Sequence, residues 1–264
     1  YELVRWSVIP LVGAEEAEKE LGPEEKKAKA ISSLKNYRGS GKGIPKNAVT
    51  SVSGNAVIVR YVKFQKLTRK ELSKTIKAEA EPYIPFNVEE VFIGYHPIKD
   101  VMDEGKQKME TVLVAAKQDM VNQRVEILEG GGFKAMIMDV DAFALESVYE
   151  SQQQGPSEET VLMVNIGASQ SNFAILEKGV SMVVKDSPVS GNSITKAVMK
   201  NMGVDQKNAE KLKIQNGLLV TPQEKEAALS AGNKEALGVS NAVTSVLKDL
   251  ASEMKKLIEF YSMQ

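Results

Sequence analysis

Residues 161–176 read VLMVNIGASQSNFAIL. Val161 to Val164 form one apolar run and Phe173 to Leu176 another, with Asn165, Gly167, Ser169, Gln170, Ser171 and Asn172 between them. This pattern predicts two buried strands joined by a tight connection. A turn needs only one or two small polar residues. A loop that brings backbone N–H groups up against phosphate needs several, all small. By themselves the residues leave both readings open, a polar hairpin tip or an anion-binding turn.

Composition narrows the function classes. Of 264 residues, 42% are hydrophobic and 26% charged, enough for one large domain or two smaller ones. Thirty-four basic residues against 35 acidic ones give a net charge of −1, and no basic stripe stands out, which argues against nucleic acid. The absence of cysteine excludes disulfides and thiolate metal sites. The single histidine, His96 in FIGYHPI, ends an apolar strand pattern and reads as structural, so no metal site is expected. No apolar run approaches the roughly 20 residues that cross a bilayer, and no basic-then-apolar leader is present. The expectation is a soluble, cytoplasmic protein. The chain opens at Tyr1 inside an alternating stretch and closes at Gln264 within a helical pattern, which reads as a piece of a longer protein.

Along the chain, YELVRWSVIPL alternates and predicts a strand. Ala28, Ile31 and Leu34 then share one helical face, with Gly39 to Gly43 ending the helix. NAVTSVSGNAVIVRYVKF reads as two strands broken at Ser53-Gly54. Thr68 with Glu71 forms a capping box, Leu67 can staple to Leu72, and the helix that follows buries Leu72, Ile76 and Ala80 and stops at Pro82. VEEVFIGYHPI and METVLVAAK are strands, QDMVNQRVEILEGGG a helix with Met120, Val121, Val125 and Leu128 inward, and FKAMIMDV a strand. From Val57 the order is strand, helix, strand, strand, helix, strand, the split βαβ or ferredoxin-like arrangement. ESQQQGPSEE (150–159) is a polar linker. Beyond the opening hairpin come a strand in GVSMVVKDSPV and helices in NSITKAVMKNM and VDQKNAEKLKIQ, the second capped by Asp205. A final long helix carries Val243, Val246, Leu250, Leu257 and Tyr261, a stripe that suits either a core helix or a coiled-coil seam.

NAVTSVSGNAVIVRYVKF, the helix ending in EAEPYIPF (79–86), VNIGASQSNFAIL, SGNSITKAV and NAEKLK together resemble the PilM family, actin-like cytoplasmic proteins of the type IV pilus assembly platform. The resemblance runs over nearly the whole chain. It implies an α/β, two-lobed actin-like (ribonuclease H-like) ATPase fold of FtsA type, incomplete at both ends, with an inserted ferredoxin-like or SHS2-type subdomain. The lobes would divide as 1–55 and 132–150 for the first, 56–131 for the insertion, and 151–264 for the second.

The resemblance also implies site residues. Gly167, Ala168, Ser169 and Gln170 match the hairpin turn that grips nucleotide phosphates in actin-like ATPases. Asn165 stands where the family usually carries Asp near the metal and its waters. An amide brings Mg²⁺ no negative charge and cannot act as a base, so weak or absent ATP turnover is expected. Asp139 matches the acidic residue that orients attacking water in active relatives, while Asp139 or Asp141 would equally serve as a helix cap. Glu210 and Lys213, at i and i+3, match residues that contact ribose and adenine, or form a solvated ion pair. Tyr83, Ile84 and Phe86 match the edge of a groove that holds the N-terminal cytoplasmic peptide of PilN, a single-span membrane protein, or else close the insertion's own core. The first phosphate hairpin and the glycine-rich adenosine motif of the family occur nowhere in the chain.

The reading is thus an adaptor that binds ATP with Mg²⁺ between its lobes, the lobe angle altering the peptide groove, and that meets other pilus platform or motor proteins at the inner face of the inner membrane without inserting into it. At most it is a weak ATPase. The alternatives are a hydrolysing filament former like FtsA or MreB, and a degenerate scaffold without nucleotide.

Overall fold

The computed structural model describes residues 6–11, 21–41, 43–153, 155 and 158–263. The chain forms two compact units, Tyr1–Glu159 with Glu177–Val184, and Thr160–Leu176 with Lys185–Gln264.

The first unit carries helix α1 (Pro23–Ser40), strands β1 (Asn47–Val52) and β2 (Val57–Gln65), helix α2 (Arg69–Ala80), strands β3 (Val91–Asp103) and β4 (Lys106–Lys117), helix α3 (Gln118–Gly130), strand β5 (Lys134–Val140) and helix α4 (Asp141–Gln152). The capping box that begins α2 is formed as read: the Glu71 amide donates to Thr68 Oγ1 at 3.3 Å, and the Thr68 amide donates back to Glu71 Oε2 at 2.8 Å. Leu72, Ile76 and Ala80 of α2 are buried, packed with Val62 and Phe64 of β2, Val91 of β3 and Met109, Leu113 and Ala115 of β4.

The sheet beneath α2 has the order β2-β4-β3, all antiparallel. It takes three strands, where the split βαβ reading anticipated four. The fourth, β5, pairs instead in parallel with β1, bringing Ser51 beside Asp139 and Val52 beside Val140. The order of elements alone does not specify which strand accepts β5, and a parallel partner sits across a crossover in the sequence.

Helix α3 packs on α1 through the glycines that also end it. A Cβ on Gly131 would lie 2.6 Å from the Leu34 Cβ, and one on Gly130 would lie 3.0 Å from Ile31 Cδ1. The Ile31/Leu34 face read from the sequence is therefore received by a surface without side chains.

Two expectations change. Trp6 to Leu11, the described part of the expected first strand, has no regular structure, and Trp6 and Val8 are 77% and 80% exposed; residues 1–5 lie outside the described residues. Alternation makes a strand only where a sheet edge accepts it, and none pairs with this segment among the described residues. Helix α7 (Pro222–Ser230) of the second unit was not anticipated, although Thr221 and Glu224 cap it with a box like that of α2.

The remaining elements are β6 (Thr160–Ile166), β7 (Ser171–Glu177), β8 (Val180–Ser187), α5 (Gly191–Met202), α6 (Gln206–Asn216) and α8 (Lys234–Ser262), with a sheet of order β6-β7-β8. Of the two strands expected to be buried only the second is: all of Ser171–Leu176 is buried, whereas β6, at the sheet edge, has no buried residue and exposes Val164 and Ile166. Val198 of α5, Ala209 of α6 and Val239, Ala242 and Val243 of α8 form the helical core. The stripe on α8 is thus that of a core helix, with Val243, Leu250 and Leu257 buried. Asp205 caps α6 by accepting from the Asn208 amide at 2.8 Å.

Leu72→Ala, which empties a fully buried position, is expected to cost about 2–5 kcal/mol, against about 1 kcal/mol for Thr68→Ala at the cap. Urea unfolding of both variants measures the difference, and an equal loss would contradict the packing given to α2.

Candidate functional site

In the second unit the turn after β6 is closed by the Gly167 amide donating to the Gln170 carbonyl at 3.0 Å. Glycine is required there by space, since a Cβ would sit 2.6 Å from that carbonyl oxygen. The first turn of α5 braces the loop from behind: the Gly191 amide donates to the Gly167 carbonyl at 3.0 Å and the Asn192 amide to the Ala168 carbonyl at 2.7 Å. Among the described residues the amides of Ala168, Ser169 and Gln170 donate to no protein acceptor. Ala168 and Ser169 are exposed. These free donors, carried on small residues, suit an anion.

Asn165 reaches no such opening. Its Nδ2 donates to Asn172 Oδ1 at 2.9 Å, and Asn172 Nδ2 donates to Asp186 Oδ1 at 2.7 Å. Asn172 is only 4% exposed, so this amide relay across β6, β7 and β8 is a buried, oriented feature. Asp186 is the carboxylate at its end.

Glu210 and Lys213 form an ion pair at 2.7 Å, and Thr195, on the facing helix α5, completes it. Thr195 Oγ1 lies 2.6 Å from Glu210 Oε2 as donor and accepts from Lys213 Nζ at 3.0 Å. Burial would push the Glu210 carboxyl up, but the hydrogen bonds from Lys213 and Thr195 outweigh it and hold the group below its ordinary value. Thr195 Oγ1 is also 3.0 Å from the Gly191 carbonyl, so this cluster and the 167–170 turn hang on the same first turn of α5. Nothing in the local sequence pointed to Thr195, because α5 and α6 meet only through packing.

Asp139 belongs to the first unit. Its Oδ1 accepts from the Val140 amide at 2.8 Å. The helix-cap expectation for this segment is corrected: Val140 is the N-cap of α4 and makes no side-chain cap bond. Asp141, one residue too late to cap, accepts from Ser51 Oγ at 2.5 Å and Ser53 Oγ at 2.6 Å, fastening α4 to the end of β1.

Asp139 lines a cleft of about 500 Å³ with Phe92, Gly94, Val114, Val121 and Phe143. A second hollow of about 380 Å³, lined by Tyr61, Glu146, Glu150 and Ser181, shares His96, Val112 and Phe143 with it, so the two adjoin. Their floor is the face of the sheet turned away from α2. There Val112 stands between Tyr61 and His96, Val114 between Val59 and Gly94, and Ala116 between Val57 and Phe92. The apolar run VLVAA on β4, continuous instead of alternating, was the available signal that both faces are covered.

The PYIPF residues lie elsewhere. Ile84 is 7% exposed within the α2 core, and Phe86 packs against that core with Lys117 Nζ 4.9 Å from its ring centre. Tyr83 is 41% exposed and meets Phe64 edge-on at 6.1 Å. None of the three lines the cleft. Within the second hollow, burial pushes the Glu146 carboxyl up to about 7, with Glu150 and Asp139 adding repulsion and the Ser181 amide partly offsetting it from 3.2 Å. Burial likewise pushes the Tyr61 phenol up to about 12.

A family model described as type IV pilus assembly protein PilM matches residues 17–237. Among solved structures, a PilM-PilN type IV pilus biogenesis complex is 25% identical with a TM-score of 0.75, over 90% of this chain and 65% of that one. The chain therefore spans less than two thirds of that relative's length, and over the matched part the α/β fold is shared. Matches at lower similarity include MreB 5 of Spiroplasma citri bound to AMPPNP (15% identity, TM-score 0.42, 55% of this chain and 48% of that one). Another is the cytoplasmic domain of EpsL of the Vibrio cholerae type II secretion system (10% identity, TM-score 0.40, 66% and 63%).

Because the Glu146 carboxyl binds its proton more tightly folded than unfolded, stability falls as pH rises from its ordinary value to about 7 and is flat above. Glu146→Gln is expected to remove that loss, a gain of about 1–2 kcal/mol above neutrality once screening by water is allowed for, and to change nothing in acid below the ordinary carboxylate range. Urea unfolding across this window measures it, and a gain of equal size in acid would contradict the assignment.

Proposed function

The chain belongs to the type IV pilus assembly protein PilM family, and on that premise we propose that it is a cytoplasmic actin-like adaptor, holding the N-terminal cytoplasmic segment of a PilN-like membrane protein in the cleft under β3 and β4 and a nucleotide at the turn after β6. The observation that carries the reading is the cleft itself: a sheet face of valine, alanine and phenylalanine left open beside α4, large enough for an extended segment. A protein that exposes such a face in isolation is a candidate for covering it with a partner. Among the described residues no helix is long and apolar enough to cross a membrane, so contact with the membrane would run through that partner. In this reading the PYIPF set lies outside the partner's seat: Tyr83 packs on Phe64 on the α2 side of the sheet, and Ile84 and Phe86 hold the core there.

For the nucleotide, Ala168, Ser169 and Gln170 would give phosphate their free amides and Gly167 the close approach, while Glu210 and Lys213 would face the nucleoside. The fit to phosphate rests on those unengaged donors. The fit to a tightly held Mg²⁺ is poor: Asn165 offers no charge, and no group of three His, Asp or Glu suited to a metal occurs among the described residues. Asp139 remains the candidate for orienting water. The arrangement suits binding more than turnover, and ATP would supply a reversible ligand, not a reaction.

Calorimetric titration of Mg·ATP, with phosphate release followed in parallel, is expected to show binding without release. Gly167→Ala, which drives a methyl into the turn's own carbonyl, is expected to weaken that binding at least about tenfold. Release above background would replace the adaptor with an ATPase. Titration with a synthetic peptide of the PilN-like protein's cytoplasmic N-terminus tests the cleft, where Phe143→Ala is expected to cost about tenfold; wild-type indifference to the peptide would remove the partner reading.

A further inference from the structure

The end of the cleft formed by Tyr61, Glu146, Glu150 and Ser181 is chemically unlike the rest. Glu146 and Glu150 are one turn apart on α4, and neither pairs with a cation among the described residues. The nearby cations are committed: Lys99 pairs with Glu110 at 3.3 Å and Lys178 with Glu158 at 3.1 Å. Among the described residues, Glu146 accepts one hydrogen bond in good geometry, the 3.2 Å one from the Ser181 amide.

The hydroxyls add a second, independent observation. Ser181 is 5% exposed, and among the described residues neither its Oγ nor the buried Tyr61 Oη has a partner in hydrogen-bonding geometry. The Ser181 hydroxyl lies beside both Tyr61 and Glu146 without bonding geometry to either. Buried hydroxyls left unsatisfied cost free energy, as does a carboxylate such as that of Glu146, half drawn out of water without a counter-charge, while Glu150 beside it is exposed and adds negative charge at the mouth. Tyr61, Glu146 and Ser181 all line the same hollow, and a single group with several N–H donors and a positive charge would relieve both deficits together.

We propose that this hollow is a cation subsite that takes the ammonium or guanidinium of a lysine or arginine on the docked segment, with Glu146 and Glu150 supplying the charge and the Tyr61 and Ser181 hydroxyls the remaining acceptors. The inference rests on the cleft being a partner's seat. Because the apolar and acidic parts share His96, Val112 and Phe143, the segment recognised here carries an apolar run with a basic residue beside it. The groups facing Glu146 are then Glu150 on its own helix, Asp139 from β5, Tyr61 from β2, His96 from β3 and Ser181 from β8.

Two probes test it with the full chain. With a PilN-like N-terminal peptide that carries a basic residue beside its apolar run, replacing that residue by norleucine is expected to weaken binding about tenfold to wild type and less than about twofold to Glu146→Gln. Wild-type affinity for the basic peptide is expected to fall on acidification through neutrality, more steeply than that of Glu146→Gln. Glu150→Gln serves as the second variant, with a smaller loss in the same direction. Equal ratios for both peptides on wild type and variants would overturn the subsite while leaving the cleft as a docking site. The second probe needs no partner: n-butylammonium, but not n-butanol, is expected to shift the amide resonances of Gly179, Val180 and Ser181 in wild type and not in Glu146→Gln. That result with a silent peptide supports the subsite and removes the partner reading, and identical shifts from both small molecules overturn the subsite.

Discussion

Strand β4 is apolar on both faces, and most of the first unit follows from how those faces are treated. Met109, Leu113 and Ala115 point into the core under α2, where Leu72 and Ala80 are wholly buried. Val112, Val114 and Ala116 point the other way, onto a floor completed by β2 and β3. In a four-stranded split βαβ unit the second helix would pack on the sheet beside the first. Here α3 leaves to meet α1, and β5 leaves to pair with β1. The second face is thus left as a cleft with α4 along its side. Hydrophobic burial is satisfied on one side of the sheet and held in reserve on the other, which is the physical condition for binding an extended apolar segment.

The second unit is organised around one short piece of backbone. The first turn of α5 bonds to the carbonyls of Gly167 and Ala168 on one side and receives Thr195, with Glu210 and Lys213, on the other. A small loop with free amides is of use as an anion site only if it is rigid, because ordering it on binding would consume the interaction it offers. The carbonyls of this loop are tied down while its amides are left open. Asn165 shows the same economy in the opposite sense, its side chain committed to Asn172 and through it to Asp186.

Much of this architecture was legible in the sequence because the determinants are local. The Thr68–Glu71 box, the Asp205 cap, the break at Ser53-Gly54 and the β6–β7 hairpin around residue 170 depend on residues within a few positions of one another. The small residues of the turn and the missing carboxylate at 165 could be read from the same stretch. The trace of the cleft was present too, as the unbroken apolar run on β4, but a run without alternation says only that both faces are covered and not by what. The Asp139–Asp141 segment failed as a cap for a reason one residue wide: the helix begins at Asp141, so its carboxylate turns to Ser51 on β1 and Ser53 just past it, 90 and 88 positions away.

The sequence by itself determined the α/β class, the succession of strands and helices over most of the chain, and the chemistry available at the turn, since these rest on periodicity, capping and side-chain size. Tertiary structure alone decided that β5 joins β1, that Ile84 is spent on the core, that Thr195 completes the Glu210–Lys213 pair, and that Tyr61, Glu146 and Ser181 converge on one hollow. Those outcomes join residues far apart in the chain, and the energy that selects them is packing and desolvation across an interface that no local window of sequence contains.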